Sequence, residues 1–173
     1  MKTAKYILPL LCLLAVACRD VPTYDVVSAK GDTLKENMIN ANRIMAQSEE
    51  QQIAAYVARR GATATRLASG VHVMTTVAGT TTIDHEDTVA LRYRVETLGG
   101  KEVYGWRDDT VVCGHLQPTR GLDAALRTLH EGARARIVVP SEQGYGLIGD
   151  GDRIGTRTVL VYDLEINDVK KLK

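Results

Sequence analysis

Much of the chain alternates between apolar and polar residues, which is the pattern of half-buried strands. Over 88–98, Val89, Leu91 and Tyr93 fall on one side and charged residues such as Arg92 on the other. A period of two predicts a strand with one buried face. Similar patterns predict strands over 71–77, 101–106, 110–113, 133–139 and 158–168.

The segment before these strands has apolar residues at helical spacing. Leu34, Met38, Ala41 and Met45 follow one another at intervals of four, three and four residues, so they share one face of a helix. We predict one long helix or two shorter ones over 32–60. The apolar face is expected to pack on the following domain, and pairing with a second copy of the chain is the alternative. The protein is therefore expected to be a monomer or a dimer through residues 32–60.

A short second helix is predicted among the strands. Leu122, Ala125, Leu126 and Leu129 give it an apolar face, and Gly132 ends it. One short helix among several strands is typical of an α+β fold. The predicted fold is an antiparallel β-sheet wrapped on one short α-helix and preceded by an N-terminal helical segment.

The first residues have the layout of a secretory signal peptide. Lys2 and Lys5 precede an apolar stretch over 7–17, which is too short for a transmembrane helix. The stretch ends at Cys18 in a sequence that resembles a bacterial lipobox, which implies cleavage before Cys18 and its lipidation; an ordinary secretory signal is the alternative. The expected location is the cell envelope, lipid-anchored to a membrane and facing the periplasm or the exterior. The predicted segments are a signal peptide over 1–17, a tether over 18–31, the helical segment over 32–66 and the main domain over 67–173.

Charge and cysteine content exclude some functions. The formal net charge is +1, and no run of like charges is present, so nucleic-acid binding has no electrostatic support. Cleavage would remove Cys12 and lipidation would occupy Cys18, which leaves Cys113. One thiol cannot form an internal disulfide, and Cys113 is expected to be a small buried strand residue.

Local motifs for a cofactor or a metal are incomplete. Residues 144–149 spell G-x-G-x-x-G, but the next predicted strand follows too soon for the helix that a dinucleotide site requires. The four histidines share no metal-ligand spacing. Neither a cofactor nor a metal is therefore expected.

An ordered set of segments resembles the FKBP family of peptidyl-prolyl isomerases. The segments are Gly114–Leu122 before the short helix, Leu129–Pro140 as a turn and an apolar strand that ends in Pro, Gly144-Tyr145-Gly146, and the closing strand Thr158–Ile166. Upstream, Val89–Tyr93 resembles the strand that carries the family's first pocket Tyr. The resemblance covers roughly residues 50–169, and it implies that the main domain over 67–173 is FKBP-like.

The resemblance implies catalysis without a covalent intermediate or a cofactor. Rotation about a peptide C–N bond has a barrier of ~18–20 kcal/mol because of its partial double-bond character. An apolar pocket with a few hydrogen-bond donors favours the twisted amide, in which resonance is lost. The substrates that this activity implies are proline-containing polypeptide clients.

The resemblance also implies which residues form the pocket. Tyr93 matches the early pocket Tyr, and Tyr145 matches the Tyr whose hydroxyl binds a substrate carbonyl in the family; both are candidate catalytic residues. The candidate substrate-binding residues are Leu122, Ile154, Tyr162, Val103, Tyr104 and Thr119.

Some pocket positions depart from the family pattern. The family's Phe-Asp pair falls on Val103-Tyr104, so its Asp is lost unless the alignment slips toward Asp108 or Asp109. Trp106 would replace lost wall area if its segment folds inward. The first hypothesis is a peptidyl-prolyl isomerase that assists the folding of exported proteins. The alternative is a catalytically weak FKBP-like binding or chaperone module of a membrane-associated assembly.

Overall fold

The computed structural model describes residues 31–60 and 63–172. The expected signal peptide, the expected lipidation site Cys18 and nearly all of the expected tether lie outside the described residues. The chain falls into two compact units, and the second unit begins at Asn42. No helix in the described ranges is both long enough and apolar enough to cross a membrane.

The described residues form one antiparallel sheet with helices on it. In chain order the elements are α1 (Gly31–Arg59), β1 (Thr65–Arg66), β2 (His72–Val77), β3 (Thr88–Thr97), β4 (Glu102–Val112), α2 (Arg120–Leu126), β5 (Arg134–Val139), a 3-10 helix (Ser141–Gln143) and β6 (Leu160–Lys170). The six strands are arranged in the order β1-β2-β5-β6-β3-β4, and all neighbouring pairs are antiparallel. The predicted α+β fold is confirmed.

The main core lies between α2 and one face of the sheet. Leu122 and Leu126 of α2 are fully buried and belong to one cluster with Leu91, Tyr93 and Leu164 of the central strands. Side chains alternate between the two faces of a strand, so the period of two in β3 directs its apolar residues toward α2. This face of the sheet also carries the candidate site.

The C-terminal part of α1 covers the opposite face of the sheet. Ile53 and Tyr56 are 2% and 5% exposed and pack with Met74, Val138 and Val161. Val138 and Val161 each lie between two residues of the main core, so their side chains point away from it. Burying two large side chains on this face stabilises the helix by roughly 1.5–3 kcal/mol each.

The spacing of apolar residues misplaced the buried face of α1. Met45, which the spacing assigned to the packed face, is 50% exposed. The predicted length is confirmed, since α1 is one long helix. Within the second unit, α1 packs against the sheet through Ile53 and Tyr56, so the expectation that Met45 lies on the packed face is wrong.

Two other boundaries also differ from the prediction. The segments 101–106 and 110–113 are not separate strands but parts of β4, which pairs with β3 along its length and absorbs an irregularity opposite Tyr93 and Val95. The helix α2 ends at Leu126, before Leu129, because the Thr128 hydroxyl donates to the Ala125 carbonyl oxygen at 2.8 Å and the chain turns. Leu129 is nevertheless 2% exposed.

Candidate active site

The fold brings most of the predicted pocket residues to one place. Tyr93 on β3, Val103 on β4, Leu122 on α2, Ile154 in the β5–β6 loop and Tyr162 on β6 belong to the main core cluster. The side chains of Tyr104 and Tyr145 are partly buried and pack against the same cluster. Residues far apart in sequence thus belong to one cluster on the α2 side of the sheet.

Two tyrosines and a leucine make up the buried base of the candidate site, which is called its floor below. The rings of Tyr93 and Tyr162 are tilted by 49° with centroids 5.9 Å apart, a favourable aromatic arrangement. Leu122 is fully buried at the start of α2. Thr119 caps this helix, because its Oγ1 accepts the Leu122 N–H at 3.3 Å. The structure therefore gives Thr119, which is 4% exposed, the role of fixing the floor.

A carboxylate meets the buried Tyr93 hydroxyl. Tyr93 donates to Asp109 Oδ2 at 3.3 Å, and the Arg107 guanidinium lies 4.8 Å from the centre of the Tyr93 ring. Asp109 reaches this position because β4 carries an irregularity between the partners of Tyr93 and Val95. Of Asp108 and Asp109, it is Asp109 whose carboxylate contacts Tyr93.

Tyr104 holds the loop that carries Ile154. Its hydroxyl donates to the Asp150 carboxylate, which raises the pKa of Tyr104 to about 12 and lowers the pKa of Asp150 to about 2. Asp150 also accepts the backbone N–H groups of Asp152 and Ile154 at 2.9 and 2.8 Å. The contact ties β4 to the loop and places Ile154, which is 4% exposed, against the core.

Tyr145 lies at the edge of the main core cluster. It is half-buried, and burial raises the pKa of its phenol. The N–H groups of the flanking Gly144 and Gly146 both donate to the Ser141 carbonyl oxygen, at 3.1 and 2.8 Å. Gly146 has φ +60°, a backbone conformation that glycine adopts without strain. Tyr145 is thus presented by a tight turn with internal hydrogen bonds.

The tyrosines of the site are neutral hydrogen-bond donors. Burial raises the pKa of Tyr93 and of Tyr162, as it does for Tyr145. These phenols therefore keep their protons at neutral pH. An apolar surface with neutral donors suits binding and twisting of an amide, which requires no proton transfer.

Trp106 does not line the site. Its ring lies under the guanidiniums of Arg92 and Arg94, at 5.3 and 5.6 Å from the ring centre, and it is 44% exposed. Because these arginines alternate with the buried residues of β3, Trp106 lies on the opposite face of the sheet. The expectation that Trp106 could supply wall area is wrong.

Comparison with known proteins identifies the family. A family model described as FKBP-type peptidyl-prolyl cis-trans isomerase matches residues 79–167, which is half of the chain. The chain belongs to this family. An FK506-binding protein of Neisseria meningitidis serogroup C is 28% identical over 89 residues, covering 41% of this chain and 82% of the relative. The region matched by the family model, residues 79–167, contains β3, β4, α2, β5 and most of β6, and therefore the whole candidate site.

Solved structures have the same fold as this FKBP. The peptidyl-prolyl cis-trans isomerase of Pseudomonas syringae pv. tomato is 27% identical, with a TM-score of 0.63, over 75% of this chain and 96% of that one. FkpA from Escherichia coli is 21% identical, with a TM-score of 0.58, over 81% of this chain and 71% of that one, and shows likeness of fold. The isomerase class that the sequence predicted is confirmed.

Several polar residues of the site were missed or left open by sequence reasoning. Arg107 and Asp109 lie in a polar stretch of β4, and their roles depend on strand register. Asp150 and Ser141 act through the backbone of the loop and match no motif. The signal for Asp150 was its position in Asp150-Gly151-Asp152, where a short acidic side chain often binds backbone N–H groups two residues on.

Proposed function

We propose that this FKBP catalyses the cis–trans isomerisation of prolyl bonds in exported polypeptides, in the apolar pocket formed by Tyr93, Leu122, Ile154 and Tyr162. The Tyr145 hydroxyl donates a hydrogen bond to a carbonyl oxygen of the client. Apolar walls disfavour the charge separation of the planar amide, and the bound carbonyl is held while the C–N bond turns. No bond to the protein forms or breaks.

The observation that carries this proposal is the distribution of hydroxyls in the site. The hydroxyls of Tyr93 and Tyr104 donate to the carboxylates of Asp109 and Asp150. Within residues 31–60 and 63–172, the Tyr145 hydroxyl has no hydrogen-bond partner. Tyr162 is 1% exposed, and its hydroxyl lies beside Thr119, so the half-buried and neutral phenol of Tyr145 is the donor that a client carbonyl can reach.

The test is prolyl exchange in X-Pro peptides, measured by NMR on the full chain purified in mild detergent. Tyr145→Phe removes only the hydroxyl, and we expect kcat/KM to fall about tenfold or more, since a donor used in the transition state is lost. Tyr56→Phe is the matched control, because Tyr56 lies on the opposite face of the sheet, and its activity should equal that of the wild type. A folded wild-type protein that accelerates no peptide would refute isomerase catalysis and favour the binding or chaperone alternative.

We also propose that the protein acts at a membrane, held by lipid on Cys18. The positive N-terminal residues, the apolar stretch and Cys18 in a lipobox-like ending support this location. Lipid attachment would keep a folding catalyst close to polypeptides that emerge from the membrane. Labelling of cells with a radioactive fatty acid should mark the wild type and not Cys18→Ser; equal labelling of both would refute lipidation at Cys18.

A further inference from the structure

The loop that presents Tyr145 is connected at its start to α1, which lies outside the region matched by the family. Ser141 opens the loop and is 2% exposed. Its N–H donates to Glu49 Oε1 at 2.6 Å, and its hydroxyl donates to Glu49 Oε2 at 2.7 Å. Both oxygens of one helix carboxylate are thus used on one loop residue that is 92 positions away.

This contact satisfies a backbone group that the loop does not satisfy itself. The 3-10 helix Ser141–Gln143 has no side-chain cap of its own, because Pro140 precedes it. A buried N–H without an acceptor is unfavourable, and charged acceptors form the stronger hydrogen bonds. Glu49 therefore acts as the missing cap, supplied by a distant part of the chain.

Ser141 transmits this constraint to Tyr145. Its carbonyl oxygen accepts the N–H groups of Gly144 and Gly146, so the residues on both sides of Tyr145 are bonded to the peptide unit that follows the Glu49 contact. A shift of Ser141 would move this turn as a unit. A chain of hydrogen bonds thus connects Glu49 to the turn that carries Tyr145.

A second contact joins α1 to the other end of the same loop. The Arg157 N–H donates to the Gly146 carbonyl oxygen at 2.8 Å, and the Arg157 guanidinium donates to Asn42 Oδ1 at 2.6 Å. Asn42 and Glu49 are two helical turns apart and lie on the same side of α1. The Asn42 contact is exposed and contributes less than the contact at Ser141.

We propose that Glu49 is a positioning residue for the isomerase site, setting the orientation of Tyr145 through Ser141. This inference rests on the proposed function for its catalytic consequence, while the coupling between α1 and the loop can be measured without it. Ile53 and Tyr56 hold α1 on the sheet independently of Glu49, so a change at Glu49 acts on the loop and leaves the docking of the helix in place.

The test compares Glu49→Ala, Glu49→Gln and the control Glu50→Ala in the full chain in mild detergent. The control removes the neighbouring carboxylate, whose partner is Arg66 rather than the loop. Prolyl exchange gives kcat/KM, and hydrogen exchange followed by NMR reports on the amides of Gly144 and Gly146. If Glu49 only stabilised the fold as a whole, its removal would speed exchange of the loop amides and of the β5 and β6 amides alike.

In Glu49→Ala we expect kcat/KM to fall roughly tenfold, because small displacements of a positioned group cost large factors in rate. The amides of Gly144 and Gly146 should exchange at least about tenfold faster, while sheet amides keep their wild-type rates. Glu49→Gln should restore both properties, since its side-chain oxygen accepts the Ser141 N–H and its NH2 donates to the Ser141 hydroxyl. Glu50→Ala should match the wild type.

Unchanged exchange of Gly144 and Gly146 in Glu49→Ala overturns the inference, whatever the isomerase rates are. Faster loop exchange in a protein whose wild type is inactive supports the coupling and refutes the proposed function. If Glu49→Ala does not fold, Glu49→Asp replaces it, because the shorter carboxylate cannot reach both the N–H and the hydroxyl of Ser141 from the same position on α1. Wild-type exchange of Gly144 and Gly146 in Glu49→Asp, with wild-type kcat/KM, then also overturns the inference.

Discussion

Replacing Tyr104 by Phe separates two roles for this residue, contact with the client and support of the pocket loop. The change removes only the hydroxyl that donates to Asp150. This bond is the largest cause of the lowered pKa of Asp150, which is about 2 against an ordinary value of 3.8. The backbone N–H groups of Asp152 and Ile154 remain as donors. We therefore expect the pKa of Asp150 in Tyr104→Phe to rise by roughly one unit and to stay below the ordinary value.

The sign of the pH dependence follows from the lowered pKa. A carboxyl whose pKa is depressed in the folded protein contributes stability above its unfolded value, and this contribution is lost as the pH falls through the folded value. In the wild type the loss should therefore occur as the pH falls from 3.8 toward about 2. In Tyr104→Phe the folded-state pKa of Asp150 is higher, so the stabilising contribution of this carboxylate is lost over a narrower pH range. We therefore expect the loop to loosen at a higher pH than in the wild type.

The assay is a pH titration of the Asp150 carboxyl carbon by NMR, together with hydrogen exchange of the Ile154 amide. If the hydroxyl supports the loop, both properties change in Tyr104→Phe without added substrate, and kcat/KM falls as a consequence. Tyr56→Phe should leave all three at wild-type values. A pKa of Asp150 that stays near 2 in Tyr104→Phe would refute the reasoning, and a pure rise in KM would instead assign Tyr104 to client binding.

Three further substitutions test the framework of the site. Asp163→Asn should destabilise the fold by about 2 kcal/mol in urea unfolding, because it weakens a largely buried pair with Arg136. Burial raises the pKa of Asp163, but the arginines lower it overall. The loss of stability in Asp163→Asn relative to the wild type should therefore shrink as the pH falls below the ordinary pKa of 3.8. A loss that does not change with pH would contradict this. Leu122→Ala should cost about 3 kcal/mol, since the side chain is fully buried, and a loss below ~1 kcal/mol would mean that the floor collapses. Gly121→Ala would bring a Cβ to 2.4 Å from Val139 Cγ1, and thermal unfolding should show a loss of about 1–3 kcal/mol; an unchanged Tm would refute this close approach.

The strands that sequence could predict are those with one buried face. β3 alternates buried and less buried residues along most of its length, and Val89, Leu91 and Tyr93 showed this period directly. β6 is buried at successive positions at its start, because α1 covers the second face there. In both strands, the burial of side chains produced the apolar pattern from which the strand was predicted.

The prediction divided β4 into two strands because β4 is continuous through backbone hydrogen bonds and not through a pattern of buried side chains. It is an edge strand whose only partner among the described strands is β3, and most of its side chains are exposed. The polar run Arg107-Asp108-Asp109 was typical of a loop, although these residues pair with Tyr93, Arg92 and Leu91. Hydrogen bonds between strands extend β4 through positions where side-chain burial gives no pattern.

The residues of the candidate site also differ in how far they could be predicted from the sequence. Family spacing predicted Tyr93, Tyr145 and Ile154, because these residues lie at fixed distances from turns and strands that the sequence shows. The groups that hold them could not be predicted in this way. Asp109 reaches Tyr93 only through the irregular register of β4, and Glu49 reaches Ser141 only after α1 has packed on the sheet.

Hydrogen bonds of this kind explain how a site flanked by carboxylates can still suit a reaction that is favoured by apolar surroundings. Each carboxylate next to the floor already accepts hydrogen bonds from the protein, as Asp109 does from Tyr93 and Asp150 does from Tyr104. A carboxylate with satisfied lone pairs competes less for the N–H groups of a client, and its donors are fixed by the same bond. Asp109 and Asp150 are therefore engaged in holding β4 and the β5–β6 loop, and under the proposed function Tyr145 is the donor to the client carbonyl.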